Sequence, residues 1–354
     1  MTTNLNISVE KVAKSRLEET DFDSLKFGKS FSDHMFVVDY AEGEWKDARI
    51  VPFQKLSFNP SMAALHYGQT IFEGLKAFKS KEGDTLVFRP EEHARRLNIS
   101  ADRLCMPELP EELFLQGLYT LLEIDKDWIP KKENSSLYIR PLMFATDEAL
   151  GVAACKNYTF IIMTCPVSAY YEGAVKVVIE KEYVRAAEGG IGFTKTAGNY
   201  AASLYPALKA QKKGYDQLLW TDAKEHKYIE EAGTMNVMFE INGKIITPKT
   251  TSSILSGITR KSIIDLAKKW GISIEERRVS IEELQEAYKK GTLNDAFGTG
   301  TAATISHISL IGIDGIDMIL PPVEERGFSN KAKDYLSKLK IGEAQDYMNW
   351  MKKI

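Results

Sequence analysis

These 354 residues lack a cysteine framework, a long apolar run and an excess of either charge, three features that would settle a function early. Cys105, Cys155 and Cys165 stand far apart with no C-x-x-C pair. That excludes a disulfide scaffold and a zinc ribbon, and makes a reducing cytoplasm the expected setting. The five histidines, His34, His66, His93, His226 and His307, show no metal-ligand spacing, so no metal is expected. No stretch approaches the roughly 20 apolar residues of a membrane span. Residues 158–171, YTFIIMTCPVSAYY, come nearest and read as a buried strand running into a turn. Lys and Arg number 46 against 49 Asp and Glu, giving a net charge of -3 with both signs interspersed. A nucleic-acid surface would be basic on one face, so no such partner is expected. The opening residues, MTTNLNISVEKVAK, have neither an apolar core nor a cleavage site, which argues against a secretory leader.

What is present is an ordinary globular mixture, 44% hydrophobic and 27% charged, in a chain longer than one hydrophobic core usually supports. Two domains are expected, with the break near residues 171 to 175: a small N-terminal α+β domain over 1–172 and a larger C-terminal domain over 173–354. Residues 1 to 30 read as an arm. The runs MFVVDY and WKDARIVPF are strands about a turn at Ala41 to Glu44, and GLKAFKS with DTLVFR forms a second hairpin. Pro90 opens a helix with Ala94, Leu97, Ala101 and Leu104 on one stripe, and a second helix follows to Ile124. SSLYIRPLMFA and NYTFIIMTC are further strands. Beyond Gly173 strands and helices alternate, with a hairpin folded at Asn242-Gly243 and a capping box from Ser280 to Glu283. Residues 331 to 340 and the C-terminal residues read as amphipathic helices. The class is therefore α+β, or mixed α/β.

Chemistry is concentrated in Glu188 to Tyr200, EGGIGFTKTAGNY, where Lys195 sits among four glycines. Glycine offers neither helix propensity nor packing; it lets backbone pass close to something else. A phosphate loop needs glycine immediately before the lysine, and Thr194 stands there instead. A dinucleotide loop fails as well, for want of a third glycine. That leaves an amine nucleophile or a plain surface loop with a solvated lysine. Two further stretches suit an anion: Phe297 to Ala302, FGTGTA, where small residues expose successive N–H groups, and Ser256-Gly257-Ile258-Thr259 at an expected helix N-terminus. Either could be an ordinary turn. In YIEEAGTMN one of Glu230 and Glu231 must point to each strand face, so one can be buried, where it would need a cationic partner.

Taken together, YGQTIFEGLKAF, FRPEEHARRL, YIRPLMFATDEALGV, GFTKTAGNYAASL, EEAGTMNVMFE, SSILSGITRKSI and FGTGTAATI resemble the branched-chain amino acid aminotransferases, in the fold-type-IV class of pyridoxal 5'-phosphate enzymes. The likeness runs from about Phe27 to the C-terminal helix. It implies two domains with the active site at the domain and dimer interface, a homodimer, and amino acids with 2-oxo acids as substrates. Lys195 would form the Schiff base with the cofactor and move a proton between Cα and C4′. Tyr200 would meet the cofactor's phenolic oxygen, Glu231 its pyridine nitrogen, and Thr234 would add a contact. Arg96, which periodicity cannot choose over Arg95 or Arg103, would hold the phosphate with Ile258, Thr259 and Thr299. Tyr67, Arg140, Thr301 and Ala302 would surround the substrate carboxylates. Phe27, Phe72, Tyr138, Leu150, Val152 and Tyr170 would line the side-chain pocket, some from the partner subunit. Tyr138 and Arg140 alternate on one strand and so share a face, as they would in any strand.

The same class holds D-amino acid aminotransferases and aminodeoxychorismate lyases, and a non-catalytic phosphate-binding module is the reading outside enzymes. Some members carry a redox C-x-x-C where this chain reads Ala303-Thr304-Ile305-Ser306. No thiol switch is expected there. Titration with hydrogen peroxide should leave activity intact, and fast inhibition reversed by a dithiol would contradict this.

Overall fold

The computed structural model describes residues 6–168 and 173–354. Its chain divides into two compact units: residues 1–170, 194–197 and 338–354 form one, and residues 171–193 and 198–337 the other. A single cut after residue 172 does not describe this division. The tetrapeptide holding Lys195 groups with the first unit because Thr196 bridges Ile71 there.

The first unit is built on long antiparallel strands. Ser136–Ala145 and Tyr158–Val167 pair along their whole length. His34–Ala41 joins the second of them and carries Glu44–Pro52 outward, while Leu75–Lys79 joins the first and carries Thr85–Phe88. The expected turn after Ala41 has two central residues of positive φ, Glu42 at 60° and Gly43 at 88°, the twist that fits a two-residue hairpin. Inward residues such as Phe36, Ile139, Phe160 and Ile162 meet two helices, Pro90–Arg103 and Glu111–Ile124. Ala94, Leu97 and Ala101 supply the buried stripe of the first helix, and Leu104 lies at its half-buried end. Two segments differ from expectation. Ser8–Val9 in the N-terminal arm pairs as a parallel edge strand, and the C-terminal residues form a strand, Met351–Lys353, in place of a helix. That strand adds to Thr85–Phe88, with Trp350 packed edge-on against Phe88 and under the Arg89 guanidinium. An open sheet edge outweighed the helical periodicity of so short a tail.

The second unit is a mixed sheet. Val175–Ile179 lies parallel to both Gln217–Thr221 and Thr304–Ile313. Antiparallel pairing then runs from Thr304–Ile313 through Leu293–Gly300, Met235–Ile241 and Ile229–Ala232 back to Gln217–Thr221, closing a circuit of strands. Val237, Phe239, Ala296, Ile308 and Ile311 fill its core, and the helix Ile281–Lys289 contributes Leu284 and Ala287. That helix starts as expected, with the Ser280 hydroxyl accepting from the Glu283 N–H at 3.1 Å. The glycine-threonine stretch differs from a loop: the strand continues through Gly300, so Thr299 is a paired strand residue opposite Asn236 and Ile305.

Gly117 lets the helix Glu111–Ile124 lie close against the sheet residue Phe36. A β-carbon there would lie 2.7 Å from the ring of Phe36, which is fully buried. Gly117→Ala would gain about 1 kcal/mol of helix propensity and lose more to overpacking, for a net destabilisation of roughly 1–2 kcal/mol. The denaturant midpoint should fall, with partial recovery when Phe36→Leu is added; an unchanged or raised midpoint would contradict the contact.

Candidate active site

Lys195 is held by its own backbone. Its N–H donates to the Ser100 hydroxyl at 3.0 Å, its carbonyl accepts from Phe72 N–H at 2.9 Å, and the Thr196 hydroxyl donates to the Thr70 carbonyl at 2.7 Å. The segment therefore runs as an extended strip along Thr70–Phe72, which fixes where the side chain leaves the backbone. The half-buried Lys195 places Nζ 4.7 Å from the centre of the Phe72 ring.

Arg140 lies 4.7 Å from the same ring, and its Nη2 donates to the Tyr138 hydroxyl at 3.1 Å. Strand alternation thus brings Tyr138 and Arg140 to one face, and Phe27 packs on Tyr138 at 4.9 Å between ring centres. Gly74 makes room for this group, since a β-carbon there would lie 2.2 Å from the Tyr138 hydroxyl. Lys195, Phe72, Arg140, Tyr138 and Phe27 are therefore contiguous. Tyr67, Leu150 and Val152 are not drawn into this cluster by any contact described; they are exposed, Leu150 at 70% and Val152 at 86%. Tyr170 lies outside the described residues.

Of the three candidate arginines on the Pro90–Arg103 helix, only Arg96 is buried. Its guanidinium grips Glu73 by Nε to Oε1 at 2.7 Å and Nη2 to Oε2 at 2.8 Å, a fork-on-fork pair. His93 Nδ1 reaches the same Oε2 at 2.7 Å. Burial by itself would raise the Glu73 carboxyl, but the Arg96 charge and hydrogen bonds, with help from His93, hold it well below the usual carboxylate range. Burial likewise lowers His93 against the pull of Glu73. Sequence reasoning missed Glu73 and His93. The motifs FEGLKAF and RPEEHARRL contain them, but no spacing rule links a strand end to a helix face.

In the second unit Glu231 is buried while Glu230, on the other strand face, accepts from the Ser253 hydroxyl. The Glu231 carboxylate meets Arg185 Nη1 at 2.7 Å and accepts from Asn236 Nδ2 at 2.9 Å. Asn236 also donates to the Leu255 carbonyl, and it stands opposite Thr299 in the sheet. Ile258 and Thr259, both buried, open the helix Ile258–Lys269, whose first turn has no side-chain cap. Gly257 precedes them where a β-carbon would fall 1.9 Å from Asn236 Oδ1. Tyr200 is half-buried on the helix Ala197–Lys212. Thr301 and Ala302 are half-buried in the turn after Thr299, whereas Thr234 is exposed at a strand turn. Asn236 and Arg185 were missed as well.

The fit to a phosphate-bearing aromatic cofactor is a matter of donors. Thr299 Oγ1 is buried with no hydrogen-bond partner among the described residues. The uncapped N–H groups at Ile258 and Thr259 point out of the helix end with the positive end of its dipole. Both features border Asn236, and both want an anion. The buried Glu231 carboxylate suits a protonated ring nitrogen. Among the described residues no cluster of His, Cys, Asp and Glu could hold a metal ion, and no helix is long and apolar enough to cross a membrane.

The Glu73–Arg96 pair makes a pH prediction. Because the folded carboxyl lies below its unfolded value, the stabilisation is complete above the unfolded pKa of about 4.3 and is lost as pH falls from there toward the folded value. Glu73→Gln should cost about 3–5 kcal/mol at pH 7 by leaving Arg96 buried without its anion. Its stability should also fall less steeply than wild type below about pH 4.3. Denaturation series at several pH values check this, and parallel curves would contradict it.

Residues 70–311 match the model of the amino-transferase class IV family. Branched-chain-amino-acid transaminase 1 of Bacillus subtilis is 47% identical over 338 residues, covering 94% of this chain and 95% of that one. The crystal structure of the Escherichia coli branched-chain amino acid aminotransferase superposes with a TM-score of 0.73 at 28% identity, over 90% of this chain and 98% of that one. The branched-chain amino acid aminotransferase from Thermobaculum terrenum, solved in its PLP form, also gives 0.73, at 25% identity over 90% and 97%. A mixed α+β fold of this kind, matched over nearly its full length, shows that the chain belongs to the class IV aminotransferases and, within them, to the branched-chain-amino-acid aminotransferases.

Proposed function

We propose that this chain exchanges the amino group of L-Leu, L-Ile and L-Val with 2-oxoglutarate, giving L-Glu and the branched 2-oxo acids, with pyridoxal 5'-phosphate as cofactor. Pyridoxal phosphate supplies, when bound, an aldehyde and a ring that takes up the electron pair left on the substrate Cα. The observation that carries this reading is the buried, unpartnered hydroxyl of Thr299 beside an uncapped helix end, a ready site for a phosphate.

Each residue then has a task. Lys195 would hold the cofactor through its amine and would carry the proton between Cα and C4′. Glu231, as an anion, keeps the ring nitrogen protonated, and Tyr200 donates to the phenolic oxygen. Arg96, Thr299 and the N–H groups of Ile258 and Thr259 bind phosphate. Tyr138 and Arg140 orient a carboxylate, while Phe27 and Phe72 offer apolar surface, where each buried methylene is worth about 0.8 kcal/mol. Thr301 and Ala302 complete the carboxylate contacts. The exposed Tyr67, Leu150 and Val152 are assigned to a homodimer contact through which they reach the site. The setting is the cytoplasm, and the partners are small amino acids and 2-oxo acids.

Lys195→Ala should lower turnover by roughly 10³-fold while leaving the far-UV spectrum of the protein unchanged. Wild-type protein should transaminate L-Leu far faster than D-Ala with 2-oxoglutarate. Wild-type turnover in the variant would overturn the role of Lys195, and a D-Ala preference would move the chain to the D-amino acid branch.

A further inference from the structure

The guanidinium beside Glu231 is unused in that scheme. Arg185 stands on the segment before the glycine run, its side chain 7% exposed. A single terminal nitrogen, Nη1, donates to the Gly192 carbonyl at 3.2 Å and the Ser253 carbonyl at 3.0 Å, and lies 2.7 Å from Glu231 Oε2. Each partner opens onto a different part of the proposed site. Gly192 leads through Phe193 and Thr194 to Lys195. Ser253 leads through residues 254–257 to the helix end at Ile258. Glu231 is itself the carboxylate assigned to the ring nitrogen.

The two backbone segments are also pressed together. The Phe193 N–H donates to the Ser252 carbonyl at 3.0 Å and the Gly189 N–H to the Ser252 hydroxyl at 3.0 Å. A β-carbon on Gly192 would fall 2.5 Å from the Ser253 carbonyl and 2.4 Å from the Ala186 β-carbon. No side chain fits between the segments, so the arginine reaches over them and ties both to the strand end. Glu230, on the opposite strand face, is fastened to Ser253 as well, which anchors the same turn from the other side.

We propose that Arg185 is a positioning residue for transamination, one that locks the glycine run, the Ser253 turn and Glu231 into a single fixed frame. The proposal rests on the reading of Glu231 as partner of the cofactor ring. A buried carboxylate without a cation would rotate toward any donor or take up a proton. With Arg185 on one oxygen and Asn236 on the other, Glu231 has one orientation. Small displacements of such a frame cost rate far more than they cost substrate binding, because reacting groups must align within a fraction of an ångström. Lysine, a compact charge with three donors on a flexible stem, keeps the ion pair and only part of the hold on the two carbonyls.

The experiment compares Arg185→Met and Arg185→Lys with wild type, with cofactor uptake by the wild-type protein established first. Readouts are the dissociation constant of apo protein for pyridoxal phosphate, the visible absorbance band of the loaded protein, and kcat and KM for L-Leu at saturating cofactor. Arg185→Met should weaken cofactor binding and lower kcat by about tenfold or more each, with KM for L-Leu within about threefold. Its absorbance band should shift, and Arg185→Lys should recover part of the loss. If Arg185→Met does not fold, Arg185→Lys decides alone, with a smaller loss in kcat expected. A folded variant with wild-type kcat, cofactor affinity and absorbance would overturn the proposal, as would a raised KM at unchanged kcat. Wild-type protein that takes up no cofactor would overturn the reading of Glu231 before any variant is made.

Discussion

A carboxylate deep in a protein must be answered by positive charge, and two of the buried carboxylates of this chain, Glu73 and Glu231, are answered beside residues assigned to the cofactor. Glu73 is closed off by Arg96 and His93 in one unit, and Glu231 by Arg185 and Asn236 in the other. The two grips differ in geometry. Glu73 is gripped on both oxygens by a fork-on-fork pair, a structural knot that sets the rotamer of Arg96. Glu231 is met by an arginine nitrogen at one oxygen and an amide at the other. Buried charge pairs of this kind add specificity of arrangement more than net stability.

Glycine does the complementary work. At Gly74, Gly192 and Gly257 a side chain would collide with Tyr138, Ser253 and Asn236 respectively. Each collision is with a residue that shapes the site, so these glycines are points where backbone must come close. Gly192, in the run before Lys195, is thus explained by packing against the Ser253 carbonyl, which fixes the path of the chain there. The strip of backbone hydrogen bonds to Ser100, Phe72 and Thr70 continues that path.

Much of this could be read from the chain. Strand alternation placed Tyr138 with Arg140, the helix stripe at Ala94, Leu97 and Ala101 was read from its spacing, and Ser280 capped its helix as a capping box should. The glycine run singled out Lys195, while the family likeness supplied Arg96 and Glu231, which local pattern could not choose among their neighbours. Hidden from sequence were residues whose roles depend on long-range pairing. Glu73 and Arg185 look like any charged residue beside a strand, and their meaning comes from a partner many residues away. The C-terminal strand was hidden for the same reason: its conformation is dictated by the free edge at Thr85–Phe88 and by Arg89 waiting for Trp350. Thr299 was misplaced in a loop because glycine and threonine together read as a turn, although sheet pairing with Asn236 holds them extended.

The proposed chemistry turns on one amine, that of Lys195, taking the cofactor. Borohydride reduction of freshly purified wild-type protein, followed by peptide mapping in a mass spectrometer, examines this without any variant. The expected outcome is a phosphopyridoxyl group carried by the peptide that contains Lys195. A reduced protein with that peptide unmodified, or with the group on another lysine, would contradict it.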